Sequence, residues 1–242
     1  MITINENTLL RSLPKWVSRS GTLRASIMGI NDGLVSNFCL VMGLAGGTSN
    51  NHEIVLIAGI IGLLAGSLSM ATGEYVSVKA QRDVFEKQVL LEKQHLAENP
   101  QGEQAKLMAS YQHRGLSKEQ ALTASEILLS NDHLALETML REEQGLSEDQ
   151  FGSPLGAAFG SLFAFMIGAF IPILPYIANA YANPFTLSIS ISAIFLAFVG
   201  GTLSAFSGKA VLLGSLRMLL AGSLAASVTY TAGSLINQFI QI

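Results

Sequence analysis

From Gln150 to Gly208 the chain carries no Asp, Glu, Lys or Arg, and from Met218 to its last residue there is none either. A bilayer core is crossed by roughly 20 apolar residues of helix, so runs of this length are membrane spans. The composition agrees: 13% of residues are charged, against about 25% in soluble domains. Five spans are expected, at 26–47, 54–78, 155–179, 184–207 and 214–238. They must be helices, because the apolar runs are too long and too continuous for the alternating strands of a barrel. The fold class is therefore all-α, a polytopic membrane protein. Pro172 and Pro175 in the third span remove backbone donors and should kink or end that helix. Asn183-Pro184 marks the turn into the fourth.

All 14 basic residues fall in three segments. Arg11, Lys15, Arg19 and Arg24 precede span 1. Lys79, Arg82, Lys87, Lys93, Lys106, Arg114, Lys118 and Arg141 lie between spans 2 and 3, Lys209 lies between spans 4 and 5, and Arg217 lies in the first turn of span 5. With five spans, these segments share one side. The positive-inside rule makes that side the cytoplasm and places the C-terminus outside. The N-terminal stretch has no apolar core and no cleavage motif, so it does not read as a signal peptide. Cys39 is the single cysteine, which excludes an intrachain disulfide. Gly29/Gly33, Gly43/Gly47, Gly62/Gly66 and Gly156/Gly160 place small residues one turn apart and permit close helix approach.

The expected organisation is a cytoplasmic segment 1–25, spans 1 and 2 over 26–78, a cytoplasmic helical module over 79–150, and spans 3 to 5 over 151–242. The module is rich in charge and reads as amphipathic helices. Its first helix runs on from span 2 without a breaker. Asn99-Pro100 ends it and starts a second, which Gly115 closes. Ser117 and Gln120 form a capping box for a third. Asn131 or Asp132 caps a fourth, which stops at Gly145.

Asp32 and Glu74 are the only carboxylates within the spans. A charge in the bilayer is costly and marks function by default. Asp32 lies about 9 Å inside the cytoplasmic end of span 1 at helical rise, and Met70 of antiparallel span 2 falls at a similar depth. Met70 and Glu74 share a face, continued by Ser67. With Asn31, Ser36 and Asn37 nearby, this level suits a borderline-soft divalent cation such as Fe²⁺. The alternative is a pair of helix-end carboxylates solvated by water.

In the module, Phe85, Val89 and Leu96 form an apolar stripe on which position 92 is Glu92, followed one turn later by His95. In the last helix Leu136 and Met139 or Leu140 form the stripe, and Glu143 takes its next position. Carboxylates on core-facing stripes are expensive unless paired or bound to a cation. Glu103, opening the second helix, can join them. The competing reading is solvated faces with ion pairs to Lys93, Lys106 and Arg141.

GINDGLVSNFCLVMGLAGG (29–47), GLLAGSLSMATGEYVSVKAQRD (62–83), ENP and YQHRGLSKEQA within 98–121, MLREEQGL (139–146) and SLRMLLAGSLAASVTY (215–230) together resemble the vacuolar iron transporter family in its bacterial form. The resemblance runs from about Gly21 onward. It implies five membrane helices, a homodimer and a cytoplasmic metal-binding module between helices 2 and 3. It implies export of Fe²⁺, with Mn²⁺ as a further substrate, in exchange for protons. The implied path between protomers is lined by Asp32 and Met70, with Glu74 and Asn37 beside them. The implied module ligands are Glu92, His95, Glu103, Met139 and Glu143. Two positions depart from the family's glutamate pattern. His95 still binds a transition metal, whereas Lys106 brings a positive charge, so fewer ions or weaker binding should follow. The extra N-terminal ferritin-like domain of some relatives is missing here, so iron oxidation and storage are not expected.

No enzymatic activity, organic cofactor or nucleic-acid partner is expected. The expected partners are divalent cations, protons and the bilayer of a bacterial plasma membrane, or a vacuolar membrane in a eukaryote. Two other functions compete. One is a membrane-anchored metal sensor or buffer without transport, against which the polar groups at Asp32 and Asn37 argue. The other is a ferroxidase, against which the lack of paired Glu-x-x-His helices argues.

Overall fold

A computed structural model describes residues 21–146, 152–178 and 183–240, and every regular element among them is a helix. These are α1 (Gly21–Gly47), α2 (His52–Glu98), α3 (Pro100–His113), α4 (Lys118–Leu129), α5 (Asp132–Gln144), α6 (Pro154–Ile177), α7 (Pro184–Phe206) and α8 (Val211–Ile240). Five of them, α1, α2, α6, α7 and α8, are long and apolar enough to cross a membrane. The chain is a multi-pass membrane protein. It divides into two compact units, Val76–Ser153 and Thr22–Tyr75 with Pro154–Ile242. The N-terminal residues expected to be a cytoplasmic segment lie largely outside the described residues.

Helix α2 belongs to both units. Its 47 residues extend about 70 Å at 1.5 Å per residue, more than twice a bilayer core of about 30 Å. The apolar first half can span; the charged second half, beyond about Val78, lies past the hydrocarbon. No Gly or Pro interrupts the helix between Gly73 and Glu98, so nothing local ends it before Asn99.

The short helices are set by their caps. Asn99 accepts from Gly102 N–H at 3.0 Å, with Pro100 at the first position of α3. Ser117 and Gln120 exchange both bonds of a capping box at the start of α4. Asn131 accepts from the N–H groups of His133 and Leu134 to open α5. Gly145 ends α5 in the left-handed region at φ 64°, where glycine has no Cβ penalty. Leu107 of α3, Ala121 of α4, and Ala135, Met139 and Leu140 of α5 form the buried interior of this unit.

In the membrane unit the core joins Leu34, Phe38, Val41 and Met42 of α1 to Val55 and Leu63 of α2. Phe165, Ala169, Ile173 and Tyr176 of α6 and Leu196 and Val199 of α7 complete it. Helix α1 is central because its glycines admit two neighbours. A Cβ at Gly168 of α6 would collide with the Ile30 carbonyl, and one at Gly33 with the Phe165 carbonyl. Further along α1, Gly43 meets Gly233 of α8 backbone to backbone.

The prolines do not end α6 where they occur. The helix runs through Pro172 and Pro175 and stops only at Ile177. Side chains from two other helices donate to backbone carbonyls of this stretch. Asn37 Nδ2 reaches Ala169 O at 2.6 Å, and Ser188 Oγ reaches Pro172 O at 2.6 Å. These two bonds tie the proline-containing end of α6 to α1 and α7.

Asn37 also donates to Gly59 O at 3.3 Å and is only 2% exposed, so it ties α1 to both α2 and α6. Each such bond contributes about 1 kcal/mol net, and a carbonyl left dry costs more. Asn37→Leu is therefore expected to destabilise the protein by about 2–3 kcal/mol. A drop of several degrees in the thermal unfolding midpoint of detergent-solubilised protein checks this; an unchanged midpoint refutes it.

Candidate metal sites

Two groups of polar residues stand out, one in each unit. On α1, residues Arg24, Met28, Asp32, Ser36 and Leu40 recur every fourth position, and all are exposed. They form one stripe that no other described part of this chain covers. Asp32 is thus a carboxylate on an outward face of a membrane helix. Ser36 Oγ donates to the Asp32 backbone carbonyl at 2.5 Å and leaves the carboxylate untouched. Asn31, on the adjacent face, keeps a buried Oδ1 with no hydrogen-bond partner.

Met70 is half-buried and packs against the membrane core. Ser67, one turn earlier, is buried and donates to Leu64 O at 3.0 Å. Glu74 has a side chain only 12% exposed, with Oε2 4.0 Å from Arg24 Nη2. It is faced by a cation from α1 and is not solvated like a helix-end carboxylate. Asn37 spends its two donors on backbone, and its Oδ1 remains a buried acceptor without a partner. Gly62 of α2 lies opposite that oxygen, and a Cβ there would sit 2.9 Å from it.

In the helical unit, α2, α3 and α5 bring Glu92, Glu103 and Glu143 together. One oxygen of each lies within 4.8 Å of the other two. Glu92 and Glu103 are 1% and 3% exposed, while Glu143 sits at the rim. Glu92 and Glu103 are thus buried and not part of a solvated face, while the ion pair to Lys106 that the competing reading offered is formed. Glu92 Oε2 accepts from Gln144 Nε2 at 3.3 Å, and Glu92 Oε1 is buried without a partner. Burial raises the Glu92 pKa above the usual carboxylate range, and the charges of Glu143 and Glu103 raise it further. Lys106 and His95 pull it back.

Lys106, one turn after Glu103, reaches into the same cluster. Its Nζ lies 2.8 and 3.0 Å from the two oxygens of Glu103 and 3.5 Å from Glu143 Oε1. Hydrogen bonding to Glu103, above all, raises the Lys106 pKa. Met139 is fully buried one turn before Glu143. His95 is exposed and lies outside the group of three carboxylates. Arg141, which sequence reasoning offered as a partner for the cluster, instead pairs with Glu137 at 3.2 Å along its own helix. An ion pair that sequence reasoning missed joins Arg114, at the C-cap of α3, to Glu142 of α5. No local pattern announces it.

Hard and borderline divalent cations favour oxygen donors, and three converging carboxylates with a neighbouring thioether suit a first-row ion. The chain matches the VIT family over residues 23–234. It is 34% identical over 224 residues to a vacuolar iron transporter of Acanthamoeba castellanii, covering 89% of this chain and 79% of that protein. Vacuolar iron transporter homolog 3 of Arabidopsis thaliana is 33% identical over 224 residues, covering 90% and 85%. Vacuolar iron transporter 1 of the same plant is 27% identical over 216 residues, covering 89% and 86%. The match takes in both polar groups and all five membrane helices, and the chain belongs to the VIT family.

Proposed function

We propose that this chain is a transporter that carries Fe²⁺, and Mn²⁺ by the same route, out of the cytoplasm in exchange for protons. Relatives named as iron transporters support the substrate class. The observation that carries the reading is the Asp32 stripe. A carboxylate facing hydrocarbon is expensive, so this face meets water or protein, and a second copy of the chain supplies both. In a homodimer the two stripes would face each other across a polar path, with Asp32 and Met70 at its wall. Asn37 then holds the helices that form the wall, and Glu74 with Arg24 marks its cytoplasmic mouth. Asp32 would exchange a proton for the cation, since an opposite charge and a proton compete for the same carboxylate.

The helical unit lies on the cytoplasmic side in this reading, as the segregation of Lys and Arg supports. Its glutamate cluster, with Met139 and Glu143 at one edge and His95 beside it, gathers ions for the path. The membrane is the plasma membrane of a bacterium, or a vacuolar membrane if the source is eukaryotic.

The test is uptake into proteoliposomes loaded with an Fe²⁺-sensitive dye, with and without an imposed pH gradient. Gradient-driven uptake of Fe²⁺ and Mn²⁺ is the expected result. Folded, dimeric protein that moves neither ion under any gradient would leave a membrane-anchored buffer as the function.

A further inference from the structure

The glutamate cluster already contains a cation. The Lys106 ammonium has three N–H donors, and its contacts at 2.8, 3.0 and 3.5 Å all go to Glu103 and Glu143. It occupies the space that an ion shared by those two carboxylates would occupy. The stem comes from α3, and the side chain is 50% exposed, whereas that of Glu103 is 4% exposed. The ammonium therefore approaches from the solvent side and can withdraw to it by side-chain rotation alone. The buried Glu103 carboxylate cannot follow.

An ordinary surface ion pair contributes little. This one differs, because two of the three carboxylates are almost wholly buried. Desolvated charge of one sign must be compensated, or the helices carrying it move apart. Among the described residues, Lys106 is the only basic side chain paired with members of this cluster. Gln144 supplies one hydrogen bond to Glu92 but no charge. The buried Glu92 Oε1 is left without a donor, an acceptor still open to a cation held by three carboxylates.

We propose that Lys106 is a built-in counter-cation: it holds Glu92, Glu103 and Glu143 together in the metal-free protein, and a divalent ion enters the cluster only by displacing it. The second half rests on the reading of the helical unit as a metal-binding module; the first half does not. The consequence is a module that keeps its shape when empty and binds weakly, releasing ions readily to a transport path. A site occupied by its own ammonium nine-tenths of the time loses about ten-fold in apparent affinity.

The experiment uses full-length protein in detergent, as wild type, Lys106→Met and Lys106→Arg, with Mn²⁺ as the probe. Free Mn²⁺ is followed by electron paramagnetic resonance, and amide hydrogen exchange is read in α3 and α5 with chelator or with Mn²⁺. Lys106→Met removes the charge and keeps the apolar stem. It is expected to bind Mn²⁺ about ten-fold more tightly than wild type. Its α3 and α5 amides should exchange faster than wild type in chelator and regain protection with Mn²⁺. Lys106→Arg keeps a cation and should retain wild-type protection in chelator. Unchanged protection of Lys106→Met in chelator overturns the counter-cation role. Equal Mn²⁺ affinity in wild type and Lys106→Met overturns the displacement. Absence of Mn²⁺-induced protection in α3 and α5 of both proteins instead overturns the metal reading of the module itself.

Discussion

Asp32→Asn is expected to abolish gradient-driven Fe²⁺ uptake while leaving a folded dimer. The substitution keeps the size and shape of the side chain and removes only its charge. A dication leaving water for a narrow path needs compensating charge at each stop. Removing one preorganised partner of a charge in a low-dielectric site typically costs about 10²–10³-fold in rate. Uptake should therefore fall to about 1% of wild type or below. Asp32→Ala should behave alike, because the lost charge and not the lost volume is what matters. Ser36→Ala, one turn along the same stripe, should transport normally, since its hydroxyl is bonded to the Asp32 backbone and not to the carboxylate. Light scattering checks the dimer, and the proteoliposome assay checks the rate. Wild-type uptake in Asp32→Asn would remove Asp32 from the path.

Gly168→Leu should fail at an earlier stage. A Cβ at this position would meet the Ile30 carbonyl and would lie 2.8 Å from Leu34 N and 3.0 Å from Ile30 C. These are backbone atoms of a helix, so no rotamer change relieves the contact. The only relief is separation of α1 from α6. That separation would also pull Asn37 from Ala169 O, bonded at 2.6 Å, and open the Leu34–Phe165–Ala169 part of the core. Overpacking against movable side chains costs about 1–3 kcal/mol; here the loss should exceed that range. The expected result is little or no monodisperse protein on size-exclusion chromatography in detergent. Gly73→Ala is the matched control, because nothing lies within 4 Å of a Cβ there. Normal recovery of Gly168→Leu would show that α1 and α6 do not touch as described.

What the sequence revealed was local. The caps at Asn99, Ser117 and Asn131 and the stop at Gly145 are each decided by a few adjacent residues, so they could be read directly. The five spans follow from hydropathy for the same reason. Pro172 and Pro175 show the limit. The local rule stops or kinks a helix, yet α6 runs on to Ile177, and the bonds that tie this stretch to α1 and α7 join elements that no local pattern connects. The glutamates were visible because polar residues interrupt apolar stripes. Their buried, mutual arrangement was not visible, because it depends on how three helices rotate about their axes. The pairing of Glu74 with Arg24 and of Arg114 with Glu142 was hidden for the same reason. His95 follows Glu92 by one turn and appeared to belong to the cluster, yet it emerges on the exposed side of α2.

The bond from Asn37 to Ala169 joins residues 132 positions apart, and this has a cost during biogenesis. Synthesis runs at about 5–20 residues per second, so roughly 7–26 s separate the two residues at the ribosome. Through that interval α1 and α2 have been made, and Gly59 O can take one donor of the central amide, but the helix that takes the other has not been made. The whole helical unit is translated in between. A newly inserted α1 thus waits with a half-paired carboxamide and bare glycine faces. This is the window in which the nascent chain is most exposed to membrane quality control, and slower elongation across residues 48–153 lengthens it.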